Sequence, residues 1–355
     1  SHIINGSVQG YQCELDPSSR RWTGGIYDEA RRDWLYPMSL HADAQNAFKP
    51  GVFNKVHIEC IGSEIKTWIN EVACGYVVDT MDAKGFIGLQ VHSIGDDAKL
   101  ANEKVYFKNI RIKTNHLQPT AFPKGVYVVN NIANSLCNYE KQSGWQLLFD
   151  GKTSAGWTGA YKDSFPSKGW QIKDGMLTVL SSEGKESTNG GDIVTKNQYS
   201  AFDISFEFKL TPGANSGVKY FVTLKENNAG SAIGLEYQIL DDSLHPDAKL
   251  GRDGNRTLSS LYDLITAQKQ KRFIHAIGEW NTGRIIVYPN NHVEHYLNGI
   301  KVLEYERGSK AFEELVAISK YKVWDHFGEA LQGHILLQDH GNEVSFRSIK
   351  IRELQ

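Results

Sequence analysis

One order of short landmarks occurs twice in this chain of 355 residues. The first pass reads Gly10-Tyr11-Gln12-Cys13-Glu14-Leu15-Asp16, Gly25-Ile26-Tyr27-Asp28, Thr67-Trp68-Ile69-Asn70, Gly88-Leu89-Gln90-Val91-His92, and Val105 to Ile112. The second reads Gly234-Leu235-Glu236-Tyr237-Gln238-Ile239-Leu240-Asp241, Ser260-Leu261-Tyr262-Asp263, His295-Tyr296-Leu297-Asn298, Leu336-Leu337-Gln338-Asp339-His340, and Val344 to Ile351. Five landmarks in one order predict two copies of one fold: residues 1–115, a connector over 116–143, and a complete copy over 144–355. The copies are unequal, with about 90 residues ahead of Gly234 in its copy and nine ahead of Gly10. A first copy without its opening strands exposes strand edges and apolar faces. The expectation is that another chain or a cleaved N-terminal segment supplies them; Ser1 in place of Met fits a processed or cut chain.

Local pattern decides what each copy folds into. In Ala201 to Phe208, Phe202, Ile204, Phe206 and Phe208 share one face while Asp203, Ser205 and Glu207 share the other, the period of a half-buried antiparallel strand. Lys55 to Cys60 and Arg284 to Tyr288 read alike, and Asn298-Gly299 marks a hairpin turn. Helical spacing is confined to Leu258–Gln270 and Ser309–Lys320. Many short strands give a mostly β protein, with two jelly-roll β-sandwich units in tandem. Lys plus Arg is 39 against 41 Asp plus Glu, a net charge of −2, which argues against a nucleic-acid partner. No run approaches the roughly 20 apolar residues of a membrane span. Four cysteines lack zinc-type spacing and read as thiols, with a disulfide of unassigned partners as the alternative.

The second copy carries Gly144-Trp145-Gln146-Leu147-Leu148-Phe149-Asp150-Gly151-Lys152 with Gly156-Trp157, Trp170 to Leu177, Asn215-Ser216-Gly217-Val218-Lys219-Tyr220-Phe221, and Gly333 to Gly341. This series resembles the 3-keto-disaccharide hydrolase family, and the first copy resembles the later half of the same domain. The resemblance implies a concanavalin A-like jelly roll, a carbohydrate substrate, export to the periplasm or beyond, and cleavage of glycosides oxidised at carbon 3.

Residues two apart on a strand point the same way. Glu236 therefore pairs with Gln238 and Gln338 with His340; in the first copy Gln12 pairs with Glu14 and Gln90 with His92, with Tyr27 standing where the second copy has Tyr262. Carboxylates and amides bind sugar hydroxyls, which makes Gln238, Gln338, Asp263, His295, Gln12, Glu14, Tyr27, Gln90 and His92 candidate substrate ligands. A solvated outer sheet face is the plainer reading. Ordinary glycosidases flank the bond with two carboxyls, and the Glu-x-Asp-x-x-Glu strand pattern of β-glucanases of this general fold is absent. A 3-keto sugar offers another route: a base removes the carbon-2 proton and the carbon-1 substituent leaves by elimination. His340 and Glu236 compete for the role of base, Lys219 or a bound metal steadies the enolate, and Tyr262 protonates the leaving group. No cofactor is required by this scheme, although Asp253-Gly254-Asn255 leaves room for a calcium ion. The alternative to a hydrolase or lyase is a non-catalytic, lectin-like binding protein, since the fold hosts both.

Overall fold

The computed structural model describes residues 1–4, 6–91, 104–225 and 232–355. The chain divides into two compact units, Ser1–Asn131 and Ile132–Gln355, the boundary falling inside the expected connector.

In the first unit β1 (His2–Ile4), β2 (Ser7–Cys13), β3 (Ile26–Glu29) and β4 (Asp33–Tyr36) form one antiparallel sheet in sequence order. A second sheet is the meander β5 (Val56–Ile61), β6 (Glu64–Ile69) and β7 (Val72–Val78), with β8 (Val129–Asn130) parallel to β7. The landmarks at 85–91 and 104–112 form no strand, and Ile87, Leu89, Val91, Val105, Tyr106, Ile110 and Ile112 are exposed. Val344–Glu353, which holds the matching landmark of the second unit, is paired on both sides by strands that precede Gly234. Among the described residues of the first unit no strand lies beside 104–112.

The second unit contributes β9 (Gln146–Leu147), β10 (Trp157–Gly159), β11 (Trp170–Lys173), β12 (Met176–Val179), β13 (Ile193–Thr195), β14 (Phe202–Leu210), β15 (Asn215–Val222), β16 (Leu235–Leu240), β17 (Asn281–Val287), β18 (His292–Leu297), β19 (Ile300–Glu306), β20 (His334–Leu337) and β21 (Val344–Glu353). They make a jelly-roll sandwich. One sheet runs β10-β13-β20-β15-β16; the other runs β11-β12-β21-β14-β17-β18-β19, with β9 on β21. Phe202, Ile204, Phe206 and Phe208 of β14 meet Val218 and Tyr220 of β15, Tyr237 and Ile239 of β16, and Ile335 and Leu337 of β20 in one buried core. Burial of such side chains contributes about 1.5–3 kcal/mol each. The opposite face of β14 is drier than alternation alone suggests. Asp203 is fully buried, its carboxylate taking two bonds from Arg284 at 2.7 Å and two from Arg352 at 2.9 and 3.1 Å. Those guanidinium groups hold its pKa below the usual carboxylate value against the opposing effect of burial.

The Asn298-Gly299 turn has both residues at positive φ, 48° and 79°, which only a primed hairpin turn uses. Its Asn298 Oδ1 accepts from Thr282 N, and Nδ2 donates to Phe273 O and Asn281 Oδ1. Asn70 in the first unit, φ 49°, repeats the scheme: Oδ1 accepts from Lys55 N, and Nδ2 donates to Ala47 O and Asn54 Oδ1.

Of the two expected helices, Lys310–Ala317 forms, capped by Ser309 Oγ accepting from Phe312 N. Leu258–Gln270 does not. Its leucines at helical spacing are buried, but its backbone extends the β16 edge instead: Ser259 N donates to Gln238 O, Gln238 N to Ser260 O and Tyr262 N to Glu236 O. Sheet pairing outcompetes a local helix that has few intrahelical bonds to offer. Among the described residues no helix is long and apolar enough to cross a membrane.

Candidate active site

The face of the β10-β13-β20-β15-β16 sheet turned away from the core carries the second unit's polar residues. Register builds them into rows. Lys219 stands opposite Glu236 on one side and Leu336 on the other, and Tyr262 is bonded beyond Glu236, so Lys219, Glu236 and Tyr262 form one line. Gly217 stands between Gln238, its register partner, and Gln338, whose N–H donates to Gly217 O at 3.0 Å. Asn215 follows on the same face.

Three residues that sequence reasoning passed over complete this surface. Gly217 makes room for the carboxylate, because a Cβ there would sit 2.4 Å from Glu236 Oε1. Asp192, next to β13, is buried; it accepts from Asp339 N at 2.9 Å and Ala232 N at 3.4 Å, and burial pushes its pKa up to about 6 against the pull of Lys219. Lys320 follows the helix, and its Nζ lies 4.1 Å from the centre of the Tyr262 ring, a cation–π contact. Its backbone N–H is pinned by Asp263 Oδ2 at 2.7 Å. Desolvation lowers the Lys320 pKa, opposed by the charge of Glu236. Only the spatial neighbourhood reveals these three; their local sequence offers no signal beyond the glycine.

The other charges are anchored. Lys219 Nζ donates to Ala232 O at 3.0 Å. Tyr262 Oη donates to Asp247 Oδ2 at 2.7 Å, and burial followed by this carboxylate raises its pKa. Arg256 holds Asp247 and Asp263 together, at 3.0 and 2.8 Å. Glu236 is 4% exposed, and among the described residues no donor is bonded to its carboxylate. It is the unspent base of the row.

Of the expected catalytic groups, Glu236, Tyr262 and Lys219 come together, and Asp263, Gln238 and Gln338 border them. His340 lies towards the Asn215 end, its ring packed edge-on at 5.9 Å against His245, whose pKa is lowered by burial and then by His340. The Glu236 carboxylate leans over Gly217, two residues of strand, roughly 7 Å, from the Asn215 position. His295 is placed elsewhere altogether. It is fully buried between the sheets, with Nε2 2.9 Å from Tyr220 Oη and Nδ1 3.2 Å from Ser259 O, and burial lowers its pKa to about 4. A ligand of bound sugar it is not, because alternation in β18 turns it into the core.

In the first unit Gln12 Nε2 donates to Glu14 Oε2 at 2.9 Å and Gln90 Oε1 at 3.0 Å. Tyr27 is Gln12's register partner and donates to Asp33 Oδ1. These four are thus neighbours; His92 lies outside the described residues. Arg31 and Arg32 spend their charge on Asp28, Asp79 and Asp82. Among the described residues, Asp253-Gly254-Asn255 belongs to no group of three metal-type ligands, and Asn255 Oδ1 accepts from Arg252 N. Among the described residues, the group with three metal-type ligands is His292, Glu294 and Glu304 on the opposite sheet, and Lys301 Nζ already bridges its two carboxylates at 3.0 and 2.6 Å.

Comparison with known proteins gives a consistent answer. Residues 3–113 and 144–352 match the family model of the 3-keto-alpha-glucoside-1,2-lyase-like domain. A 3-keto-disaccharide hydrolase of Bacteroides thetaiotaomicron is 38% identical over 232 residues, spanning 59% of this chain and 79% of that protein. A crystal structure from Parabacteroides distasonis, of a protein assigned as a glycosyl hydrolase, superposes with a TM-score of 0.55 at 29% identity, over 63% of this chain and all of that one.

Proposed function

Because this chain belongs to the 3-keto-alpha-glucoside-1,2-lyase-like domain family, we propose that it is a carbohydrate-active enzyme that cleaves glycosides oxidised at carbon 3, by proton abstraction at carbon 2 and elimination. The observation that carries this reading is the row Lys219, Glu236 and Tyr262 with Lys320 above it: one free carboxylate between cations and a phenol.

Glu236 is the base in this scheme. It takes the proton from carbon 2, and the C–H electron pair passes into the carbon 2–carbon 3 bond, leaving negative charge on the carbon-3 oxygen. Lys219, which is buried, and Lys320, which is exposed beside the Tyr262 ring, supply positive charge for that oxygen. The charge then returns: the carbon-3 carbonyl re-forms, the carbon 1–carbon 2 double bond forms and the glycosidic oxygen leaves with the bonding pair. Tyr262, whose O–H rests on Asp247, turns that proton to the glycosidic oxygen as it leaves, giving up its bond to Asp247. Water added across the new double bond makes the net reaction a hydrolysis. His340, towards the Asn215 end, is assigned to the leaving portion in this scheme.

The two units are, in the same proposal, copies of one domain, supported by the matching Asn70 and Asn298 turns. Export from the cytoplasm follows from the family resemblance and belongs to the proposal too. Methyl α-glucoside and its 3-keto form are the test substrates. Cleavage of the oxidised form alone is expected, with Glu236→Gln slower by about 10²–10⁴-fold. Binding of both without turnover would replace this reading with the lectin-like one, and a Glu236→Gln protein as fast as wild type would remove the base.

A further inference from the structure

Among the described residues, three buried amide oxygens on the site face have no hydrogen-bond partner: Asn215 Oδ1, Gln238 Oε1 and Gln338 Oε1. Their residues are 2%, 0% and 5% exposed. A buried acceptor without a donor is expensive, and native structures keep few of them. Here three occur on one sheet face: Gln238 and Gln338 flank Gly217, and Asn215 lies two residues along the same strand. Gly217 puts no side chain between them, and the Glu236 carboxylate leans across that gap. Gln238 Nε2 is turned towards Arg256 O, at 3.5 Å, which leaves its oxygen aimed away from that loop.

We propose that Asn215, Gln238 and Gln338 form a hydroxyl-reading subsite that holds the unoxidised hexose of a 3-keto-disaccharide, and so fixes which ring enters the Glu236 row. This rests on the function proposed above. The chemistry sorts the two rings. An intact hexose presents hydroxyl donors around its edge, which satisfy carbonyl acceptors. A ring oxidised at carbon 3 presents a carbonyl there, which needs donors, and Lys219 and Lys320 stand at the other end. The strip therefore binds the ring that leaves, while the cations bind the ring that reacts. A site whose buried acceptors await hydroxyls also rejects ligands that cannot donate to them, because those acceptors would stay unpaired.

The test compares maltose oxidised at carbon 3 of its non-reducing ring with methyl 3-keto-α-glucoside, which lacks the second hexose, in wild type, Asn215→Leu and Gln338→Met. In each variant kcat/KM on the disaccharide is expected to fall about tenfold further than on the methyl glycoside, the worth of one hydrogen bond. Equal losses on both substrates, or no loss on the disaccharide, would overturn the subsite. Thermal unfolding without sugar guards against misfolding: exchanging an unpaired buried oxygen for an apolar group of similar shape leaves Tm at least as high. Calorimetric binding of native maltose gives a readout independent of turnover. If wild type cleaves neither oxidised substrate, the lyase reading fails alone. Maltose affinity then decides the subsite, with a roughly tenfold loss in the variants supporting it and unchanged or absent binding overturning it.

Discussion

Acidification should unlock the core of the second unit through His295. The ring is fully buried, accepts from Tyr220 Oη at Nε2 and donates from Nδ1 to Ser259 O, so the neutral tautomer is the one its surroundings satisfy. Burial lowers its pKa from 6.5 to about 4. Between those values the unfolded chain binds a proton that the folded chain refuses, so stability is intact above pH 6.5 and falls as the pH drops towards 4. Each pH unit is worth about 1.4 kcal/mol, so the whole interval amounts to roughly 3 kcal/mol. That is a substantial part of the 5–15 kcal/mol that typically holds a domain together. Urea unfolding at stepped pH would measure it against His295→Gln, whose neutral amide can make both hydrogen bonds. The stability difference between the two proteins should be constant above pH 7 and shift against wild type by roughly 3 kcal/mol at pH 4. Parallel curves would refute the assignment of His295 to a dry, neutral core position.

Three further outcomes follow from packing and charge. Gly217→Ala forces the Glu236 carboxylate aside, since the new Cβ would stand 2.4 Å from Oε1; steady-state kinetics on a 3-keto glucoside should show about 10²-fold loss, the usual effect of a misplaced reacting group, with the fold retained by circular dichroism. Lys320→Met should lower kcat by about 10²-fold yet leave Tm nearly unchanged, because this ammonium makes a ring contact rather than a buried ion pair. Arg284→Met takes away one of the two guanidinium groups around buried Asp203 and should cost about 3–5 kcal/mol in urea unfolding, with greater tolerance of acid once Asp203 is protonated.

Strand alternation made much of the second unit legible. The β14 run and the Asn-Gly hairpin form as the pattern of apolar residues and turn chemistry demand, and the pairing of Glu236 with Gln238 on one face follows from period two alone. Alternation does not say which of a sandwich's two faces is the core. His295 and Glu236 both sit on regular strands, and only the sheet packing shows that one points inward and the other out. Cross-strand register is equally silent in a single sequence: Gly217 and Asn215 acquire meaning from standing beside Gln238, Gln338 and Glu236. Lys320 belonged to the end of an expected helix, and its approach to Tyr262 is a tertiary event. Leu258–Gln270 misled for a physical reason, since leucines three apart serve a buried edge segment as well as a helix. The 104–112 stretch has strand composition, but a strand needs neighbours to bond.

The most direct test of the account uses a 3-keto glucoside carrying deuterium at carbon 2, with the sugar product followed by mass spectrometry during the first turnovers. Elimination through Glu236 predicts that the label is lost, that a 1,2-unsaturated 3-keto sugar or its hydrated form accumulates, and that the unoxidised glucoside stays intact. Release of 3-keto sugar with its deuterium retained, or equal cleavage of the unoxidised glucoside, would contradict proton abstraction at carbon 2 as the purpose of this site.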